Sequence, residues 1–296
     1  MSNTDHPNRL GGYLNIFIAA VLWGSSATAA KFLFQHDLSP LLVVESRVII
    51  AAIVLTIFLL ATRPQLLKAR PADLINFALL GIIGVAGSNY TYYAAIKETS
   101  VGIAILMQYT APILVALYMV LMRKEKISRV KTAAIVLSFV GCTIMLGIFN
   151  GDVHITSLGI FFGVLSAFCF AFFNIFAKVA NKQYSVWTVL TYTVISAGIF
   201  WLIVDIFIDT GVKLSGANIV MTLSVFSFTS ALLPYVFYFR GLRRLKPSTA
   251  IVVSTLEPVV AILSAFVFLG ETLQWTQITG GFFVIGAVIL LEVYRE

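Results

Sequence analysis

Residues 250–271 read AIVVSTLEPVVAILSAFVFLGE, an apolar run long enough to cross a bilayer, with an acid and a proline side by side near its middle. A charged side chain at the centre of a helix in lipid costs about 2.5–3.5 kcal/mol on insertion scales unless it meets protein or water, so Glu257 marks a functional position. Pro258 has no amide hydrogen, and its ring pushes away the carbonyl four residues earlier. The Ser254 carbonyl is therefore left to find another partner. Ala250, Ser254, Glu257, Pro258 and Ala261 share one helical face, small and polar, which is predicted to turn inward. Val252, Val253, Val259, Val260 and Phe266 are left to meet lipid or other helices.

The same pattern occurs 146 positions earlier, in residues 104–125, AILMQYTAPILVALYMVLMRKE. The offset carries Ala250 onto Ala104, Ser254 onto Gln108, Pro258 onto Pro112 and Tyr238 onto Tyr92. An offset of 147 carries Lys31 onto Lys178 and Gly24 onto Ala171. Two copies of one unit are predicted, residues 1–150 and 151–296.

With 59% hydrophobic and 11% charged residues, the composition is that of an all-α integral membrane protein rather than a soluble domain. Stretches of about 20 apolar residues predict ten spans, at 13–34, 40–61, 73–94, 100–122, 130–148, 157–179, 186–208, 217–240, 246–269 and 275–293. Fifteen of the 20 Lys and Arg residues fall on the side that holds both termini, two (Lys97 and Lys213) on the other, and three (Lys31, Arg47 and Lys178) within spans. That asymmetry predicts cytoplasmic termini and accounts for the net charge of +7 without nucleic acid. Five spans per copy is an odd number, so the second copy enters the membrane inverted. Such a pair makes two gates about a site near the midplane, the architecture of a secondary transporter.

Other positions carry weaker signals. Small residues at four-residue spacing, Ala20, Gly24 and Thr28 in the first span and Gly159, Gly163, Ala167 and Ala171 in the sixth, predict close helix packing. Tyr92 and Tyr93 read as interfacial belt residues. Asn89 and Asn174 are amides in apolar helices that need partners, from a neighbouring helix or a solute. Glu45 and Arg47 sit too near in sequence to face each other and are expected to pair elsewhere. Lys31 and Lys178 are placed to snorkel and Asp205 and Asp209 to be hydrated. His6, His36 and His154 are scattered, Cys142 and Cys169 lie inside apolar runs, and no metal site or cofactor is expected. Phosphate-cradling and hydrolase motifs are absent, so the chain does not hydrolyse ATP and reads as no enzyme; uphill movement would draw on a proton or counter-solute.

The runs LEPVVAILSAFVFLGE and TAPILVALYMVLMRKE, Trp23-Gly24-Ser25 and Lys31 resemble the drug/metabolite transporter superfamily, in its bacterial EamA-type branch with ten helices. The resemblance covers nearly the whole chain. It implies an inner-membrane protein of five plus five inverted helices around a central cavity lined by spans 1, 3, 4, 6, 8 and 9, in a group with many exporters of amino acids and other small metabolites. Carried onto this sequence, the cavity would include Trp23, Asn89, Gln108, Tyr109, Asn174, Tyr235, Ser254 and Glu257. The first copy departs from the second in having Ala111 where the second has Glu257, so the site is asymmetric. Pro112 and Pro258 are expected to be the bending points, and Glu257 either to relay protons or to brace the break. The expected partners are a small polar solute and the lipid bilayer, with a monomer as a sufficient unit. Efflux of lipophilic or cationic compounds, and a non-transporting assembly or sensor role, are the alternatives.

Overall fold

The computed structural model describes residues 9–35, 40–99, 101–124, 126–146, 156–208, 217–270 and 272–294. His6, His36, Glu125, His154, Asp209, Lys213, Glu271 and Arg295 lie outside them, as do the side chains of Thr28, Lys31 and Lys97. Among the described residues the structure is helical, without strands.

α1 (Arg9–Gln35) and α2 (Pro40–Thr62) are continuous, whereas α3 (Pro71–Leu79) passes through a π-helical segment (Leu80–Gly87) into α4 (Ser88–Glu98). α5 (Val101–Gln108) and α6 (Ala111–Leu121) are separated by a turn at Tyr109 and Thr110. α7 (Arg129–Met145), α8 (Ser157–Gln183) and α9 (Val186–Ile208) follow. α10 (Ala217–Ser227) again passes through a π-helical segment (Phe228–Leu232) into α11 (Leu233–Arg244). α12 (Pro247–Ser254) and α13 (Leu256–Leu269) are parted at Thr255, and α14 (Trp275–Val293) closes the order.

Eight stretches are long and apolar enough to cross a membrane: Leu42–Thr62, Pro71–Ile96, Ile103–Leu121, Ser157–Gln183, Val186–Phe207, Ile219–Arg244, Pro247–Phe268 and Trp275–Val293. They coincide with eight of the expected spans. α7, at 17 residues, is shorter, and α1 is outside that set among the described residues. Lys131, counted from sequence with the loop cations, is buried in α7. Large apolar side chains such as Ile57, Phe207, Phe268 and Phe282 stand exposed along these helices, a surface that needs lipid rather than water.

Local chemistry sets the ends. The Thr156 hydroxyl accepts the Gly159 amide at 2.9 Å and opens α8, and the Ser128 hydroxyl accepts the Lys131 amide at 3.1 Å and opens α7. Gly270 stops α13 with φ +69°, a conformation that favours a residue without Cβ.

The packing exchanges partners between the halves of the chain. α1 lies against α11, α12 and α13, and α8 correspondingly against α4, α5 and α6. α2 packs on α9, and α7 on α14. Two of these seams depend on small residues. A Cβ on Gly24 would lie 2.5 Å from the Glu257 carbonyl oxygen and 2.9 Å from the Ala261 nitrogen, so α1 touches the backbone of α13 there. A Cβ on Gly280 would meet the Gly141 carbonyl at 2.4 Å, which brings α14 onto α7.

Candidate substrate site

The two helix breaks meet at one acid. The Tyr109 hydroxyl, on the turn between α5 and α6, donates to Glu257 Oε2 at 3.0 Å and lies 3.2 Å from the Ser254 carbonyl oxygen. The carbonyl stripped of its helical partner by Pro258 is thus met by a side chain from the opposite break. The chain parts at Thr255, three residues before the proline, so Pro258 sits in the first turn of α13, where a missing amide hydrogen is tolerated. Pro112 likewise lies in the first turn of α6, one position nearer its start.

Around this contact stands a wall of rings. Trp23 of α1 lies 5.5 Å from Tyr235, edge to face at 79°, and 5.1 Å from Tyr238. Phe173 of α8 stacks on Tyr238 at 5.8 Å. Tyr92, Tyr109, Tyr235 and Tyr238 are grouped about Glu257, with Arg47 of α2 in the same neighbourhood. Trp23, Arg47, Asn89, Gln108, Tyr235 and Glu257 are all half-buried and come from six different helices.

The expected residues divide into two groups. Trp23, Tyr109, Tyr235 and Glu257 come together, whereas the Asn89 amide donates within its own helix to the Val85 carbonyl at 2.7 Å. Asn174 is fully buried behind them: its amide donates to the Phe170 carbonyl at 2.8 Å, and its oxygen accepts the Tyr238 hydroxyl. It therefore orients Tyr238. Gln108 reaches the Ser88 hydroxyl at 3.3 Å and ties α5 to α4. The Ser254 hydroxyl turns back to the Ile251 carbonyl at 2.8 Å, so this residue's backbone oxygen, not its side chain, faces Tyr109.

Three residues at the site were not among those expected there. Tyr92, read from sequence as a belt residue, comes within range of Glu257. So does Tyr238, its counterpart at the 146-residue offset, and that offset was the signal that could have found both. Arg47 carried no such signal. It reaches the π segment before α11, where Nη2 donates to the Ser230 carbonyl at 2.6 Å and the guanidinium lies 5.7 Å from the centre of the Phe226 ring. Glu45, two residues away, is 2% exposed and faces Asp205 of α9, so the acid expected to be hydrated lies against a second carboxyl. Lys178 donates to the Arg243 carbonyl at 2.8 Å, at the C-terminal end of α11.

The profile of the EamA-like transporter family matches residues 10–147 and again 157–293. This chain belongs to the EamA-like transporter family. It is 23% identical over 287 residues to the uncharacterized inner membrane transporter YicL of Salmonella typhimurium, covering 95% of each chain. It is 27% identical over 285 residues to the threonine/homoserine exporter RhtA of Salmonella typhimurium, covering 96% of this chain and 92% of that one. RhtA of Escherichia coli is 26% identical over 280 residues, with 94% and 89% covered. One solved crystal structure superposes with a TM-score of 0.81 over 97% of this chain and 98% of its own, at 17% identity, a likeness of fold alone. Within this family of membrane transporters, the rings and the acid around the paired breaks are the candidate site.

Proposed function

We propose that this EamA-like transporter is a secondary active carrier that exports a small polar metabolite, an amino acid or close relative, by alternating access. In this reading the ten spans form two inverted five-helix copies, 1–150 and 151–296, with both termini in the cytoplasm of the inner membrane. The family profile matching two consecutive stretches supports the duplication, and the exchange of helix partners between the halves supports their interlocking. The name of the relative RhtA supports the substrate class.

The observation that carries the reading is the meeting of both helix breaks at Glu257 through Tyr109. Broken helices whose loose backbone groups face one acid make a polar site at membrane depth, and movement at either break alters it. Pro112 and Pro258 are the bending points, and Glu257 takes up a proton or the amino group of the solute. The aromatic wall of Trp23, Tyr235 and Tyr238 favours a second reading, efflux of lipophilic cations, since such faces attract ammonium groups.

Proteoliposomes loaded with amino acids, nucleobases and cationic dyes separate the readings. Export of amino acids above protein-free vesicles is the expected result. Release of dyes alone overturns it in favour of cation efflux, and release of nothing from the panel favours an assembly or sensor role.

A further inference from the structure

α7 and α14 meet closely at Gly141, where an added Cβ would lie 2.9 Å from the Phe283 Cβ. Beside that seam runs an open groove of about 570 Å³, within the size range of small-molecule sites. Arg129, Thr132, Ala133, Val136 and Val140 line it and by helical spacing share one face of α7, and Phe283 of α14 lies at its far end. The small side chains of Thr132 and Ala133 leave room directly below the guanidinium. From Arg129 to Val140 the helix rises about 16 Å, and a single leaflet of hydrocarbon is about 15 Å deep. The groove therefore has a cation at its mouth and runs through the depth of one leaflet. Val136, Val140 and Phe283 are exposed along it. Arg129 is exposed too, and among the described residues nothing pairs with it. Arg123, Lys124 and Lys126, all exposed, crowd the loop that leads into α7.

We propose that this groove binds an anionic phospholipid, with one acyl chain laid along α7 and the phosphate against Arg129. Acyl chains cover any apolar wall that faces lipid, so the selective element is the charge at the mouth. A guanidinium whose fork of N–H groups is free matches phosphate oxygens in two parallel bonds. A zwitterionic choline lipid brings its own cation into a cluster of four, Arg123, Lys124, Lys126 and Arg129, and is disfavoured there. A second copy of the chain is disfavoured by the same charges, because a twofold contact through this face sets one basic cluster against another. The site is separate from Glu257 and Tyr109, so the assignment holds whatever the solute or the direction of transport. A chain in the groove touches α7 and Phe283 at once and stabilises the seam between the two helices.

The test uses purified full-length protein, stripped of lipid in detergent and offered dioleoyl phosphatidylglycerol or dioleoyl phosphatidylcholine, with bound lipid counted by native mass spectrometry. Phosphatidylglycerol is expected to be retained about fivefold more than phosphatidylcholine, the ratio that one cation near the headgroup supplies. Arg129→Gln is expected to bring the two lipids within about twofold of each other. Ala133→Phe, whose ring fills the groove below the guanidinium, is expected to abolish the preference as well. Both positions are exposed, so neither change disturbs the core. In the wild type alone, phosphatidylglycerol carrying a diazirine in mid-chain should label residues 132–140 or Phe283. Equal retention of the two lipids by the wild type overturns the proposal. So does a preference that survives both substitutions, labelling confined to other helices, or a dimer whose interface excludes lipid from the groove.

Discussion

Tyr109 holds more of the site together than its chemistry suggests, because one hydroxyl serves both a carboxylate and a backbone oxygen. Tyr109→Phe keeps the ring and removes the bond, which leaves the Ser254 carbonyl unpaired in a dry setting. A loss of about 1–3 kcal/mol in unfolding free energy is expected, read by denaturation in detergent. Glu257→Gln should fold, since an amide oxygen can still accept from Tyr109, but its export rate should no longer depend on pH in vesicles. Retained pH dependence would leave Glu257 as a brace only. At this scale the sequence was most informative where a residue contradicted its surroundings: an acid and a proline in apolar helix pointed to Glu257 and to the freed carbonyl. It was least informative for Arg47 and Asn174, since whether a polar group faces the solute or a neighbouring helix depends on a partner distant in sequence. Asn174 is satisfied by Tyr238, 64 residues away, and Arg47 is held through one nitrogen by Ser230, 183 residues away.

Two kinds of helix irregularity recur at matching places. The breaks at Tyr109 and Thr255 were legible because proline announces them. The π segments at Leu80–Gly87 and Phe228–Leu232 were not, since a π turn has no obligatory residue. Each π segment has a carbonyl taken by a side chain, Val85 by Asn89 at 2.7 Å and Ser230 by Arg47, which helps explain polar residues at these levels of an apolar helix. Pro258→Ala returns an amide hydrogen that competes with Tyr109 for the Ser254 carbonyl. The expected outcome is a stiffer α12–α13 pair, with a raised melting temperature and slower export, checked by thermal unfolding beside vesicle efflux. Gly24→Ala acts in the opposite direction. Its methyl group would overlap the Glu257 carbonyl, so α1 must back away from α13, with an expected cost of about 1–3 kcal/mol in the same melt.

For the whole molecule, composition and apolar run lengths sufficed to place eight helices able to cross a membrane, and the 146-residue offset relates the break at Thr255 to the one at Tyr109. Neither could disclose that α1 nests among helices of the second half and α8 among those of the first, because self-similarity in a sequence is silent about who packs on whom. The proposed topology puts Lys126 and Arg244 on the same side of the bilayer. Single cysteines at these positions should react with an impermeant maleimide only from the cytoplasmic face of sealed vesicles. Reaction from opposite faces rejects the inverted arrangement. The native Cys142 and Cys169 are buried, so background labelling should be low. Tyr109, finally, would be a latch between the two halves under the transport reading proposed above, and its release has a consequence for hydration. Once the halves move apart, the carboxylate and the loosened carbonyl both lose their shared donor, and in hydrocarbon neither can stay bare. Only water or a solute that carries hydrogen-bond donors can replace it, so under that reading the gate does not open dry: admission of a polar guest and motion of the backbone would be one event.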